Sequence, residues 1–181
     1  MQENVTALRS QSSIENALLE LMKERPYTDI TISRISERAG LSRQAFYRNF
    51  RDKEAVLTRI FLKMFGDVMR EVEIAKAASI EDLVEVYTSY VEAHEEVLGR
   101  LARNDLGSRL GDVFADELVK RPPVLPCQRD IRSREEGVFF NSFWVSAFIS
   151  VYTEWLRQET RTDRTELNRI LADIMYGNYF R

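Results

Sequence analysis

The chain has 181 residues, of which 44% are apolar and 30% are charged, with a formal net charge of −3. This composition excludes a disordered chain and is typical of a folded globular protein. The single cysteine, Cys127, cannot form an internal disulfide, which favours a reducing compartment. No apolar run reaches the roughly 20 residues of a membrane span, and the amino terminus lacks the apolar stretch of a signal peptide. We therefore expect a cytoplasmic protein.

The charge is divided unevenly along the chain. Residues 1–63 contain 11 Lys and Arg against 8 Asp and Glu, a balance of +3, whereas residues 64–181 contain 15 against 21, a balance of −6. Within Arg34–Lys53 there are six basic residues and two acidic ones. Because salt screens charges beyond about 8–10 Å, a local basic patch is enough to bind a phosphate backbone. The net negative charge therefore does not exclude a nucleic-acid binder.

Apolar spacing predicts an all-α protein, because helical periodicity recurs along the chain and no segment alternates like a strand. Three prolines predict a loop at Arg121–Arg134. The predicted helices outside residues 31–50 are Ser13–Glu24, Asp52 to about Ala78, Ile80–Leu101 with a kink near Glu95–Gly99, a weaker Leu106–Val119 broken by Gly107 and Gly111, Glu135–Glu159, and Asp163–Tyr176.

The most informative segment is Thr31–Glu54, TISRISERAGLSRQAFYRNFRDKE. Its first part places Ile32, Ile35 and Ala39 on one helical face, and a second helix follows at Arg43–Phe50. The Gly-Leu-Ser between them supplies a residue that accepts positive φ and a hydroxyl that caps the second helix. Two short helices joined by a glycine turn, the second rich in hydrogen-bond donors, form the helix-turn-helix that enters the DNA major groove. The preceding helix is expected to brace them.

Over roughly residues 10–60 the chain resembles the TetR (tetracycline-repressor) family of bacterial transcriptional regulators. The matching residues are Tyr27, Ile30 and Thr31, then Ile35, Ala39, Gly40 and Ser42, then Phe46, Tyr47 and Phe50, and finally Asp52, Lys53 and Glu54. Asn49 stands where many members have His, and Asn also donates to phosphate. The resemblance implies a three-helix helix-turn-helix head at residues 1–53 and an all-helical ligand-binding and dimerisation body at residues 54–181.

Eight residues of the head are predicted to contact DNA. Arg43 and Gln44 are predicted to read bases, because Arg and Gln form paired hydrogen bonds with guanine and adenine. For both residues, a solvated surface position is the alternative. Arg48 is predicted to reach a phosphate or a base edge, with a surface ion pair as its alternative. The residues matching phosphate-contacting positions of the family are Thr31, Ser42, Tyr47, Asn49 and Lys53. For Thr31 and Ser42, helix capping is the alternative role.

The resemblance further implies a small-molecule pocket in the body, and no cofactor. The candidate pocket residues are Phe61, Phe65, Met69, Tyr87, Tyr90, His94 and Trp144, for which membership of an ordinary core is the alternative. One histidine and one cysteine are too few for a metal site, so no metal is expected. Cys127, among prolines and arginines, is either an incidental loop cysteine or a thiol sensor.

The last two helices are the expected dimer interface. Phe139–Trp155 carries more apolar residues than one helix face can bury, so a two-fold partner is expected to cover the remainder. Ile170, Leu171, Ile174 and Tyr179 are predicted to complete this interface.

We therefore expect a homodimeric, sequence-specific DNA-binding transcriptional regulator, a repressor of a palindromic operator. A small hydrophobic or aromatic effector would release it by moving the long helix that begins at Asp52. The alternative is a regulator-like protein that acts through a protein partner as a co-activator. No phosphate-binding glycine loop and no His-Glu-x-x-His motif is present, so an enzyme is not expected.

Overall fold

A computed structural model describes residues 2–121 and 131–180. Over these ranges the chain is all-α, as predicted, with nine helices and no strand. The helices are α1 (Gln2–Glu24), α2 (Ile32–Arg38), α3 (Arg43–Asn49), α4 (Lys53–Ile74), α5 (Ile80–Ala93), α6 (Glu95–Arg103), α7 (Gly107–Val119), α8 (Arg134–Arg157) and α9 (Arg164–Met175). None of these described helices has the length and apolar character that a bilayer crossing requires.

The described chain separates into two compact units, an amino-terminal unit up to Phe61 and a carboxy-terminal unit from Leu62 onward. α4 begins in the first and continues into the second as one helix. The predicted cap is present, because the Asp52 carboxylate accepts a hydrogen bond from the Ala55 amide at 2.7 Å. α4 ends at Ile74 rather than near the predicted Ala78. Lys76, two residues beyond the end of α4, adopts a φ of +49°.

The amino-terminal unit packs α1, α2, α3 and the start of α4 around one core. α1 begins about three turns before the predicted Ser13, since neither Pro nor Gly interrupts residues 2–12. The buried Glu15 carboxylate accepts a hydrogen bond from Arg59 Nε at 2.7 Å, which joins α1 to α4. The largest fully buried side chains of this core are Ile14, Leu18, Ile30, Ile35, Phe46, Val56, Leu57 and Phe61.

In the carboxy-terminal unit, the predicted Ile80–Leu101 helix is two helices, separated at His94. Ser79 starts α5 with a capping box, accepting from the Asp82 amide at 3.1 Å while the Asp82 carboxylate accepts from the Ser79 amide at 3.0 Å. Leu171 is 1% exposed and lies in the core of this unit. The expectation that Leu171 contributes to a dimer interface is therefore wrong.

The glycines of α7 allow a close helix approach. Gly107 and Gly111 were predicted to break a weak helix at this position, and that prediction is wrong, because α7 is continuous over Gly107–Val119. A Cβ on Gly107 would lie 3.2 Å from Thr153 Oγ1 and 3.4 Å from Ile149 Cγ2 of α8. The lack of a side chain at Gly107 thus lets α7 pack closely against α8.

Candidate functional site

The turn between α2 and α3 is built on Gly40. The Gly40 amide donates to the Glu37 carbonyl at 3.0 Å, and the Leu41 amide donates to the Ser36 carbonyl at 2.9 Å. These two bonds form the Schellman motif that ends a helix, and it requires a positive φ at the central residue. Gly40 has a φ of +67°. The helix-turn-helix geometry expected from the Gly-Leu-Ser sequence is therefore present.

Thr31 and Ser42 cap the two helices of the motif. Thr31 Oγ1 accepts from the Arg34 amide at 3.4 Å, and Ser42 Oγ accepts from the Ala45 amide at 3.1 Å. The capping role considered for both residues is thus the one seen in the structure. Each hydroxyl acts as acceptor in its cap, so its own hydrogen stays available to a phosphate oxygen. Capping and phosphate binding are therefore compatible at both residues.

The outer face of α3 is exposed and free of internal hydrogen bonds. Arg43, Gln44 and Arg48 form neither a hydrogen bond nor an ion pair with any other residue that the structure describes. Tyr47 is 50% exposed, and its ring meets the buried Phe46 edge-on at 5.7 Å between centroids. Phe46 thereby fixes the helix while its neighbours project to solvent. Three donor side chains and a phenol are available to a ligand on this face.

Asn49 and Lys53 have internal partners instead. Asn49 Nδ2 donates to the Ala45 carbonyl at 2.8 Å, one turn back in α3. Lys53 Nζ donates to the carbonyls of Tyr27, Thr28 and Ile30 at 2.8, 3.2 and 3.0 Å. An ammonium has three hydrogens, so all three have an acceptor. A phosphate contact by Lys53, as predicted from sequence, would have to replace or share one of these bonds.

The carboxy-terminal unit contains a cavity of about 120 Å³. Five of the seven candidate pocket residues line it, namely Phe65, Met69, Tyr87, Tyr90 and Trp144, whereas Phe61 and His94 do not. The His94 side chain is exposed and stacks on the Tyr90 ring at 4.1 Å between centroids. None of the lining residues carries a charged side chain. The cavity is apolar apart from neutral hydroxyl, amide and indole groups.

Several residues that line the cavity were not predicted from the sequence. α7 contributes Leu110 and Phe114, and α8 contributes Phe148 and Tyr152. The α7 residues were missed because the glycines of α7 indicated a broken helix. The Phe114 ring of α7 meets the Phe65 ring of α4 edge-on, with 5.2 Å between centroids. The spacing of aromatic residues within one helix cannot predict such a contact between two helices.

A polar cluster lies behind the cavity wall at Tyr152. The Tyr152 hydroxyl lies 2.7 Å from Thr88 Oγ1, and Thr88 donates to Asn168 Oδ1 at 2.6 Å. Because Thr88 gives its only hydrogen to Asn168, its oxygen accepts from Tyr152. Burial raises the pKa of Tyr152 well above its ordinary value. Tyr152 therefore remains neutral, with its ring on the cavity and its hydroxyl joined to Thr88 of α5, which in turn bonds Asn168 of α9.

Tyr90 is a second phenol on the cavity wall. Burial, reinforced by the carboxylates of Asp67 and Glu71, raises the pKa of Tyr90 to about 12. Among the described residues, no group of three or more His, Cys, Asp or Glu side chains is gathered as a metal ion would require. Cys127, considered as a thiol sensor, lies outside the described residues.

An aromatic surface is exposed on α8. Phe139 is 76% exposed and Phe143 is 66% exposed, although both belong to the apolar residues expected at a dimer interface. Tyr179, also expected there, is exposed, whereas Ile170 and Ile174 are half-buried. Phe139 and Phe143 thus form an exposed apolar surface on α8.

Comparisons with known proteins agree with these observations. Residues 14–60 match the family model described as bacterial regulatory proteins, tetR family. The fold is similar to that of a TetR transcriptional regulator from Streptococcus agalactiae 2603V, with a TM-score of 0.67, 19% identity, and 96% of this chain and 97% of that chain covered.

Two further solved structures share the fold. One is the fatty acid degradation regulator FadR from Bacillus halodurans, with a TM-score of 0.62, 17% identity, and 91% and 93% of the two chains covered. The other is the TetR family repressor AlkX from Dietzia sp. strain DQ12-45-1b, implicated in biodegradation of n-alkanes, with a TM-score of 0.58, 17% identity, and 93% and 94% covered. No curated protein matches the chain in sequence.

Proposed function

Because the chain is a TetR-family DNA-binding transcriptional regulator and not an enzyme, we propose that it acts as a homodimeric repressor that a small uncharged molecule releases from DNA. The observation that carries the DNA-binding half of this proposal is the outer face of α3. Arg43, Gln44 and Arg48 are exposed there without internal partners, on a helix that the Gly40 turn and the Ser42 cap hold in place.

Two kinds of DNA contact follow from this face. Arg43 and Gln44, in the first turn of α3, are the proposed base readers, and Arg48, further along the helix, is proposed to reach a phosphate or a base edge. The hydroxyls of Thr31, Ser42 and Tyr47, the Asn49 amide and the Lys53 ammonium are the proposed phosphate donors, which set register rather than sequence. Of these, Asn49 and Lys53 would exchange or share a bond that they now make internally.

Dimerisation is proposed through the carboxy-terminal helices. The exposed Phe139 and Phe143 on α8 support this part of the proposal, because two aromatic side chains at such exposure are costly to leave in water. A dimer would also place two recognition helices on one face of DNA, where successive major grooves lie about 34–36 Å apart.

The cavity supports a small hydrophobic or aromatic effector. Its volume of about 120 Å³ is close to that of an engineered apolar cavity of about 150 Å³ that binds benzene. A carboxylate, phosphate or ammonium would find no countercharge on the lining, and burying an unpaired charge is strongly unfavourable. We therefore assign the effector to uncharged molecules of about one ring or a short alkyl chain.

α4 is the proposed connection between effector and DNA. It starts at Lys53 in the amino-terminal unit, and its later residues Met64, Phe65, Val68 and Met69 line the cavity. An effector that favours one position of α4 over another would shift the population away from the DNA-competent state.

The test is fluorescence anisotropy with the DNA that flanks the chain's own gene. Salt-sensitive, sequence-selective binding is expected, and Arg43→Ala should weaken it by about 1–3 kcal/mol and relax sequence preference. Arg70→Ala, which removes the same charge from an exposed position in the carboxy-terminal unit, is the matched control and should change little. Equal loss in both variants would refute base reading by Arg43. Purification with a protein partner and no DNA affinity would favour the co-activator alternative.

A further inference from the structure

A second recess lies between α8 and the start of α7. It measures about 340 Å³, and we call it the α7–α8 groove. Phe139 and Phe143, the exposed side chains proposed for dimerisation, are not among the described residues that border it. The groove is open to solvent, because six of the residues that border it are exposed, namely Asp105, Ser108, Ser146, Ser150, Glu154 and Arg157.

The groove and the cavity share part of their lining. Gly107 of α7 and Ile149 and Thr153 of α8 border both spaces, so the wall between them is one residue thick. Each described residue that lines the cavity is buried or half-buried. A ligand that enters the cavity must therefore move side chains, and the shared wall is the place where the fewest stand between the cavity and solvent.

Two glycines weaken this shared wall. Gly107 and Gly111 lie four residues apart on α7 and therefore on the same face of the helix. Ile149 Cγ2 lies 3.4 Å from the position of a Cβ on Gly107, and Ile149 Cδ1 lies 3.5 Å from that of a Cβ on Gly111. The Ile149 side chain thus closes the wall against bare backbone, and it can turn aside without displacing a side chain from either position.

The helices themselves are fixed beside the wall. Arg157 Nη2 of α8 donates to the Ala102 carbonyl at 2.7 Å and to Asp105 Oδ1 at 2.5 Å. These bonds join α8 to the segment that immediately precedes Gly107. Separation of α7 from α8 would break them, whereas rotation of side chains in the wall would not. Side-chain rotation is therefore the easier way to open the wall.

We propose that the α7–α8 groove is the entrance of the cavity and that Ile149 and Thr153 form its gate. The inference rests on the effector cavity proposed above and adds the route by which a ligand reaches it. A small uncharged molecule first lies in the groove and passes Gly107 while the two side chains are turned aside. The gate sets the rates of entry and exit together, and the cavity sets the dissociation constant.

A disulfide across the gate tests this route. Gly107→Cys and Thr153→Cys are combined in the full chain with Cys127→Ser. A Cβ at position 107 would lie 3.2 Å from Thr153 Oγ1, whose place a sulfur would take, and a disulfide holds its two Cβ atoms about 3.5–4.5 Å apart. The two cysteines are therefore within reach of each other, and their disulfide would cross the passage.

Fluorobenzene is the probe, because it is a single uncharged ring whose exchange can be measured by fluorine NMR. Oxidation of the cysteine pair should slow both entry and exit by about ten-fold or more, and should change the dissociation constant by less than about two-fold. Reduction should restore both rates. Gly107→Ser combined with Thr153→Ser, treated with the same oxidant, is the control and should show no change.

Truncation of the gate gives a second readout that needs no disulfide. Ile149→Ala should speed the entry of fluorobenzene by about three-fold or more, because less of the gate has to move. Ile80→Ala is the matched control, since Ile80 is also half-buried and lines the cavity but does not border the groove. Any change of affinity in Ile80→Ala should appear in the exit rate alone.

The outcomes separate this inference from the proposed effector cavity. Binding of fluorobenzene at equal rates in the oxidised and reduced chains overturns the entrance and leaves the cavity standing, as does faster entry in Ile80→Ala than in Ile149→Ala. A cysteine pair that forms no disulfide contradicts the closed gate at Gly107. A chain that binds no fluorobenzene overturns both the cavity and its entrance. Slower exchange on oxidation, together with faster entry in Ile149→Ala, supports the entrance.

Discussion

Lys53 Nζ lies 2.8 Å from the carbonyl oxygen of Tyr27 and 4.4 Å from the centre of the Tyr27 ring. The next residue of α4 makes a second link, because the Tyr27 hydroxyl donates to Glu54 Oε1 at 3.2 Å. Together these contacts tie the first turn of α4 to the short 3-10 turn at Tyr27–Asp29 that leads into α2. The start of α4 and the helix-turn-helix are thus held as one body.

Replacing Lys53 by Met should therefore lower stability. We expect a loss of about 1–3 kcal/mol in the free energy of unfolding, because three carbonyls lose a charged donor while the aliphatic stem is retained. Urea denaturation measures this loss, and Lys63→Met, an exposed lysine ten residues further along α4, is the control.

The same variant decides between the two roles of Lys53. If the Lys53 ammonium bonds only the carbonyls of Tyr27, Thr28 and Ile30, Lys53→Met should leave the slope of log affinity for DNA against log salt concentration equal to that of the wild-type chain. A slope smaller by about one would instead establish the phosphate contact predicted from sequence.

Replacing Gly40 by Ala should destabilise the helix-turn-helix by about 1–2 kcal/mol. A Cβ at this position would meet no atom within 4 Å, so the cost arises from the φ of +67° alone. Gly40→Asn should cost less, because Asn tolerates this conformation better. Gly66 in α4 is the matched control, since its Cβ would also meet nothing and its helical conformation suits Ala. Gly66→Ala should raise stability by about 0.5–1 kcal/mol, and a loss of equal size in both variants would contradict the φ argument.

The turn between α2 and α3 could be predicted from the sequence because it depends on local residues, whereas the lining of the cavity could be predicted only in part. Gly40 and Ser42 determine the backbone within a few residues of themselves, and both the positive φ and the cap are visible in the sequence. The cavity depends on which helices meet. In the sequence, Gly107 indicated a helix break, because glycine weakens an isolated helix. In the fold, the missing side chain of Gly107 permits close packing against α8. Only the packed fold brings Phe114 of α7 against Phe65 of α4.

Ionisation of Tyr90 should make the carboxy-terminal unit less stable in strong alkali. Burial first, then Asp67 and Glu71, raise the pKa of Tyr90 to about 12, whereas in the unfolded chain it is about 10. The stabilising difference is therefore fully present below pH 10 and is lost as the pH rises toward 12. Unfolding free energies measured by urea denaturation from pH 9 to 12 should fall more steeply for the wild-type chain than for Tyr90→Phe. Identical slopes would show that Tyr90 titrates normally in the folded state.

The effector cavity should discriminate by charge between molecules of equal shape. We expect toluene to raise the melting temperature and benzoate, ionised at pH 8, to leave it unchanged, because no lining residue offers a countercharge. Ala102 is 3% exposed and borders the cavity, so Ala102→Leu should fill part of it and abolish the response to toluene while DNA binding persists. Differential scanning fluorimetry measures the shift, and Ala93→Leu, at an exposed position at the end of α5, is the control. Stabilisation by benzoate equal to that by toluene would overturn the assignment to uncharged molecules, and an unchanged response in Ala102→Leu would place the binding elsewhere.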